Sequence, residues 1–296
     1  MNHKELFLNY LQFEKRYSQH TILSYQTDLD QFERYARNYL EDAEGLDRAG
    51  LKVIRSWIAH LMESGISVRS VNRKISTLKT FYKFMMREQQ IEINPMDRVI
   101  TPRLNKTLPS FVEEEKMDEL LDLHSFGKGF HGARNKLIIE LLYLTGMRLS
   151  ELIQLEDRHF DLYEQTIKVT GKRNKERIIP LEQSAIDIIR NYLDLRKHEF
   201  PDPETQSFFV TDKGKSLYPK FVYKVVNNYL RLVTTMEQRS PHVLRHSFAT
   251  HMLNRGADLN AIKEILGHAN LSATQVYTHN TFEKLVSIYK QAHPRA

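Results

Sequence analysis

Apolar positions recur at helical spacing through the first hundred residues. Leu6, Leu8, Tyr10, Leu11 and Phe13 open the chain. Ile22, Tyr25, Leu29, Phe32 and Tyr35 follow at steps of 3, 4, 3 and 3. Thr21, just ahead of that run, is the expected N-cap, because its hydroxyl can accept from an early backbone N–H. The acidic stretch 41–47 reads as a loop. A third helix is predicted over 51–62, ended by Ser64-Gly65. Ser67 is placed to cap a fourth, with Val68, Val71, Ile75, Leu78, Phe81, Tyr82 and Met85 facing inward. On the other side of that helix Arg69, Arg73, Ser76, Thr80 and Lys83 step by 4, 3, 4 and 3, so they form one polar stripe.

The rhythm then breaks. Pro95, Pro102 and Pro109 block helix continuation and restrict the residues before them. The expected division is a helical domain over 1–98, a linker over 99–108 and a second domain over 109–296. In the second part, 137–144 is a solidly apolar helix stopped at Gly146. Residues 166–170 and 177–181 read as short strands around the turn 171–175. Phe208-Phe209-Val210 is the expected third strand. Ser240-Pro241 is a strong helix start, with Ser at N-cap and Pro in the first turn; that helix should stop at Gly256. A short one over 259–266 should stop at Gly267. Leu285, Ile288 and Tyr289 give the C-terminal segment an apolar face too small to be a core alone, so 282–296 is expected to dock on a neighbouring subunit. The predicted fold class is mainly α with a small antiparallel β-sheet.

Composition narrows the chemistry. The 296 residues are 41% hydrophobic and 27% charged, enough to bury a core in each of roughly two domains. Cysteine is absent, which excludes disulfides, a cysteine nucleophile and Cys-ligated zinc. No apolar run approaches the ~18 residues that span a bilayer, and the N-terminus lacks a signal-peptide core. No membrane association and a cytoplasmic location are therefore expected. The balance of 43 Lys/Arg against 37 Asp/Glu is mildly basic, but its distribution is uneven. Residues 1–50 hold six Lys/Arg and nine Asp/Glu; residues 51–88 hold eight and two. A basic segment carrying cations alternated with small hydroxyls suits a phosphate backbone. The plain alternative is a solvated helix face.

Four short blocks in the second part carry polar groups at suggestive places. Thr145-Gly146-Met147-Arg148-Leu149-Ser150-Glu151-Leu152 sets an Arg after a helix-ending Gly. Val169-Thr170-Gly171-Lys172 sets a Lys in a hairpin turn. His242-Val243-Leu244-Arg245-His246 sets His242 and Arg245 on one face of a first helical turn, where backbone N–H groups also favour a phosphate. Leu266-Gly267-His268 follows a helix end, and Val276-Tyr277-Thr278-His279 comes nine residues later. Among His242, His246 and His251 there is one i, i+4 pair and no HExxH pattern, so no metal site is expected there.

In this order the blocks resemble the tyrosine recombinases (the λ-integrase family), and within it the bacterial Xer recombinases. The resemblance extends over nearly the whole chain, since 21–29 and 70–82 are similar to that family's core-binding helices and 292–296 to Xer C-termini. Arg173 departs from the pattern, in which Gly usually follows the Lys, so the aim of Lys172 is left open. The resemblance implies a two-domain clamp on duplex DNA, with a SAM-like helical domain and a catalytic domain. It also implies a tetramer built with a sister recombinase on two recombination sites. Chromosome dimer resolution on the nucleoid, controlled by a DNA translocase of the division septum, is implied as well. The alternatives are a phage or transposon integrase of the same family, or a catalytically idle DNA-binding protein.

The chemistry of these side chains fits that resemblance. A Tyr277 phenolate can hold a DNA phosphate as a 3′-phosphotyrosyl diester, conserving bond energy. Arg148 and Arg245 can clamp the non-bridging oxygens. His268 can donate a further hydrogen bond, and His242 can take the tyrosine proton or help hold the phosphate. Lys172 is the expected proton donor to the leaving 5′-oxygen, and Glu151 the residue that orients the others. Arg69, Arg73 and Lys83 are the expected contacts to DNA phosphates. No cofactor and no metal are required.

Overall fold

The structure is a computed structural model. It describes residues 3–38, 46, 49–104, 110–171, 174–201, 205–267 and 279–295, with backbone alone over 279–285. The chain divides into two compact units, Met1–Thr107 and Leu108–Ala296.

The first unit is helical. α1 (His3–Asn9) runs into a π turn, Tyr10–Glu14, and is followed by α2 (Gln19–Ala36), α3 (Leu51–Glu63) and α4 (Val68–Arg87). Their apolar stripes meet in one core that buries Phe7, Leu29, Phe32, Trp57, Leu78, Phe81 and Tyr82. Phe32 packs on Trp57 with ring centroids 4.9 Å apart. Ser67 caps α4 as expected, accepting from the Ser70 N–H at 3.3 Å. The cap of α2 is Ser18 rather than Thr21: Ser18 is extended and its Oγ accepts the Thr21 N–H at 3.3 Å. One more helical turn forms ahead of Ile22 than the apolar rhythm suggests, because that turn is exposed and leaves no apolar mark. Past α4 the chain returns to this unit, where Arg55 Nη2 donates to the Arg98 carbonyl (3.1 Å) and Asn72 Nδ2 to the Pro102 carbonyl (2.9 Å).

The second unit holds α5 (Glu114–Asp118), continued by a π turn, then α6 (Gly129–Thr145), α7 (Leu149–Ile153) and the strands β1 (Phe160–Asp161), β2 (Thr166–Thr170) and β3 (Glu176–Pro180). α8 (Gln183–Glu199), α9 (Pro219–Val233), α10 (Pro241–Asn254), α11 (Leu259–Leu266) and α12 (His279–Ala292) complete it. Every residue of 137–145 on α6 is buried, so this helix is the centre of the unit, between α8 and α10. The sheet is antiparallel in the order β1-β2-β3, with Ile167 opposite Ile179 and Val169 opposite Arg177. Its third strand is β1, not Phe208-Phe209-Val210. That run is buried but forms only isolated bridges beside it, Glu156 with Ser207 and Val210 with Ser216. No described helix is long and apolar enough to cross a membrane.

The C-terminal segment corrects another expectation. Its described apolar residues, Ile288 and Tyr289, pack in cis, where α12 lies against α10 and α11 of its own unit. Tyr289 is fully buried and donates to the Leu144 carbonyl at 3.0 Å. Arg295 fastens the end to Asp118 (3.0 Å) and Asp122 (2.7 Å). The face is small, but a slot beside α6 is enough to bury Tyr289. His293 lies at the bottom of this slot, 1% exposed, stacked on Tyr289 at 4.8 Å and flanked by the rings of Tyr143 and Phe248. Burial first, and the charges of Arg255 and Arg295 with His251 nearby, push its pKa down to about 3.

A histidine held neutral in the fold stabilises it above the unfolded pKa and stops doing so as pH falls. Lowering pH from 7 to 5 is therefore expected to cost about 2 kcal/mol through His293 alone. Thermal unfolding of wild type and His293→Phe at both pH values checks this. The wild type should lose more of its Tm on acidification than the variant, and equal losses would remove His293 from the account.

Candidate active site

α6 ends at Gly146, which takes the left-handed conformation (φ +57°). A Cβ there would also lie 2.6 Å from both Leu266 Cδ2 and Phe248 Cδ1. Glycine is needed twice over, to turn the chain and to let α10 and α11 approach it. The turn delivers Arg148 to the N-cap of α7, and one turn later comes Glu151, 4% exposed.

Glu151 is the hub of the site. Its Oε2 accepts the Arg148 backbone N–H at 2.7 Å and Arg177 Nη2 at 2.8 Å. Its Oε1 accepts Arg148 Nη1 at 2.7 Å and Arg177 Nη1 at 3.1 Å. Burial alone raises a carboxyl's pKa, but the hydrogen bonds and charges of Arg177 and Arg148 outweigh it, and Glu151 is held below its ordinary value. It is ionised, as an orienting carboxylate must be.

Arg245 reaches the same place from the first turn of α10. Its Nη1 donates to the Gly146 carbonyl (2.6 Å) and its Nη2 to the Leu266 carbonyl at the end of α11 (2.8 Å). Arg148 Nη2 donates to the next carbonyl, that of Gly267, at 3.3 Å. The structure thus brings together the two guanidiniums that the sequence paired. Burial, and then the neighbouring Arg148 charge, push the Arg245 pKa down to about 10. Two like charges confined at the end of α11 raise each other's energy, and an anion seated between them relieves both. His242, three residues before Arg245, is exposed in the first turn of α10. Lys172, His268 and Tyr277 lie outside the described residues, as does Arg173. Gly171 and Gly267, which precede Lys172 and His268 in the chain, both border the site: a Cβ would lie 3.3 Å from Glu151 Oε1 at the first and 3.2 Å from Arg177 Nη1 at the second.

His251 turns inward. It is 2% exposed and its Nδ1 pairs with the Tyr143 hydroxyl at 2.9 Å. Among the described residues no group of three or more His, Asp or Glu is arranged to hold a metal ion.

On the first unit, Arg69, Arg73, Ser76 and Lys83 are exposed along α4 and Thr80 is partly so, as one stripe. The two hydroxyls are committed to their own helix, Ser76 Oγ to the Asn72 carbonyl (2.9 Å) and Thr80 Oγ1 to the Ser76 carbonyl (2.8 Å). Arg73 is also engaged: both terminal nitrogens meet the carboxylate of Asp28 on α2, Nη2 at 2.8 Å. Asp28 is fully buried and also receives Lys74 Nζ at 2.8 Å and Thr77 Oγ1 at 2.9 Å.

Sequence reading missed Arg177 and Asp28. For Arg177 a signal was present. It shares a strand face with Ile179, and a charge on the inward face of an amphipathic strand needs a buried partner. Asp28 falls in the 3.6 rhythm beside Leu29, but nothing local says that Arg73, Lys74 and Thr77 converge on it.

Comparison with known proteins follows the same division. A model of the phage integrase family matches residues 110–284, and a model of the phage integrase N-terminal SAM-like domain matches 5–89. Tyrosine recombinase XerC of Chlorobaculum parvum is 39% identical, with 99% of this chain and 94% of that one covered. Tyrosine recombinase XerD of Staphylococcus epidermidis is 37% identical, covering 99% and 98%. A XerH site-specific recombinase, solved bound to difH substrate as a pre-cleavage complex, is 25% identical with a TM-score of 0.68, over 90% of this chain and 79% of that one.

Proposed function

The chain belongs to the phage integrase family and is a tyrosine recombinase that cuts and rejoins DNA, and from this we propose that it resolves chromosome dimers in the cytoplasm, at a site on the nucleoid. It acts there with a sister recombinase, two copies of each on two paired sites, under a septal DNA translocase. Full-length similarity to proteins named XerC and XerD supports this role. The observation that carries the chemistry is the pair of guanidiniums, Arg148 and Arg245, brought together on successive carbonyls at the end of α11 beside the Glu151 carboxylate.

In this reading the two units, joined through 99–108, clamp one duplex. Tyr277 attacks the phosphorus, the bond to the 5′-oxygen breaks, and the DNA 3′ phosphate stays on the tyrosine until the incoming 5′-hydroxyl displaces it. Arg148 and Arg245 hold the non-bridging oxygens, where charge accumulates. His268 donates to the same phosphate, His242 takes the phenol proton, and Lys172 protonates the departing 5′-oxygen. A nicked suicide duplex from the terminus region of the organism's own chromosome tests the assignment. A covalent adduct that forms there, and completes exchange only with the sister recombinase, is expected. Adduct confined to the ends of a mobile element would make the protein an integrase instead.

On α4, Arg69 and Lys83 offer charge without an ion pair among the described residues, while Arg73 presents a half-exposed guanidinium oriented by Asp28. Arg69→Ala and Lys83→Ala are expected to flatten the salt dependence of binding by about 1 in slope each and to leave Tm alone. Arg73→Ala should flatten the slope equally and also cost about 1 kcal/mol of stability, since Asp28 keeps Lys74 and Thr77. A lower Tm with an unchanged salt slope would make Arg73 structural only.

A further inference from the structure

We infer that Arg177 is the positioning residue of the phosphate clamp: it fixes Glu151 and the C-terminal end of α11 against β3, and so sets the orientation of Arg148. The inference rests on Arg148 and Arg245 being that clamp.

Arg177 cannot meet the phosphate itself, because it is 4% exposed. It sits on the inward face of β3 beside Ile179. All three of its nitrogens are used: Nη1 and Nη2 on the two oxygens of Glu151, and Nε on the Ile265 carbonyl at 2.6 Å. That last bond completes a series. Three successive carbonyls at the end of α11 are each held by a different arginine, Ile265 by Arg177, Leu266 by Arg245 and Gly267 by Arg148. The end of a helix leaves such carbonyls without partners and carries partial negative charge, so guanidiniums are their natural caps. α11 is thereby fixed at the residue before His268, and β3 is fixed five residues after Lys172.

The division of labour at Glu151 explains how a buried residue governs a partly exposed one. A carboxylate with one guanidinium partner draws that partner fully onto itself. Here Arg177 takes a fork-to-fork pair and neutralises the charge, so Arg148 needs to give Glu151 only Nη1 from its side chain. With Nη2 on Gly267, Arg148 commits two of the five N–H donors that a guanidinium offers to described residues. Both glycines of the flanking blocks keep room for the pair. A Cβ on Gly171 would lie 3.3 Å from Glu151 Oε1 and 3.7 Å from Arg177 Nη1, and one on Gly267 3.2 Å from Arg177 Nη1.

The test is a double-mutant cycle on the full chain with a nicked suicide site, reading the single-turnover rate of adduct formation at saturating DNA. Arg177→Met is expected to bind the site within about twofold of wild type and to cleave roughly 10²-fold more slowly, the cost of a clamp misplaced by about 1 Å. Combined with Arg148→Ala it should cleave no more than about threefold slower than Arg148→Ala alone, because residues that act through one another are not additive. A purely structural role moves binding and Tm and multiplies with Arg148→Ala. Arg177→Lys keeps the charge at Glu151 but loses the fork, and is expected to recover about tenfold of the rate. If Arg177→Met fails to fold, the Lys variant runs the same cycle. Wild-type rates for the Arg177 variants, or effects that multiply, overturn the inference. Wild-type rates for Arg148→Ala itself overturn the clamp reading instead.

Discussion

Tyr277→Phe is expected to bind its DNA site as the wild type does and to form no covalent adduct with it. The substitution removes one oxygen, the proposed nucleophile, and keeps the ring. Several of the remaining tyrosines are poor substitutes. Of the fourteen in the chain, Tyr82, Tyr143, Tyr192 and Tyr289 are fully buried. Burial pushes the phenol of Tyr192 up to about 12 and those of Tyr143 and Tyr289 higher, so none of these three supplies a phenolate near neutrality. Mixing the variant with a nicked suicide site, followed by denaturing gel analysis, reads the result directly. Recovery of adduct, or peptide mapping of the wild-type adduct to another tyrosine such as the exposed Tyr163, would sink the assignment.

The buried phenols also illustrate what a sequence reveals about its fold. The cap, the apolar face and the polar stripe of α4 could be read, because all three are local to twenty residues. The turn at Gly146 was legible for the same reason, since a glycine after an apolar helix marks a left-handed cap. Phe208-Phe209-Val210 was not, because a short run buried on all sides looks the same whether it pairs as a strand or packs as a loop. The motifs singled out Arg148 and Arg245, which meet at the end of α11, whereas Arg177 beside them went unnoticed. Arg177 is defined by Glu151, twenty-six residues away, and by Ile265, eighty-eight residues away. Asp28 is defined by α4, forty-five residues on. The C-terminal face is the converse case. Its helical spacing was plain, but spacing cannot say whether the slot that receives it belongs to the same chain or to another.

Lys172→Ala is expected to cleave ordinary DNA roughly 10²–10⁴-fold more slowly than wild type, the range for losing a well-placed general acid. The departing 5′-oxygen is an alkoxide, a poor leaving group because its conjugate acid is so weak. A thiolate leaves unaided, since thiols have pKa values of about 8–9. With sulfur at the bridging 5′ position, Lys172→Ala should therefore regain most of its rate. Arg148→Ala should stay slow on both substrates, because the proposed clamp acts on the non-bridging oxygens. The contrast separates proton donation from charge stabilisation within one experiment. Lys175 is the rival donor. It is exposed, its carbonyl accepts the Gly171 N–H at 2.8 Å across the hairpin, and it follows Asn174, whose φ of +59° supplies the left-handed residue of this turn. Asparagine tolerates that conformation better than most residues. If Lys175→Ala is the variant that sulfur rescues and Lys172→Ala is not, the proton comes from the other lysine of the turn.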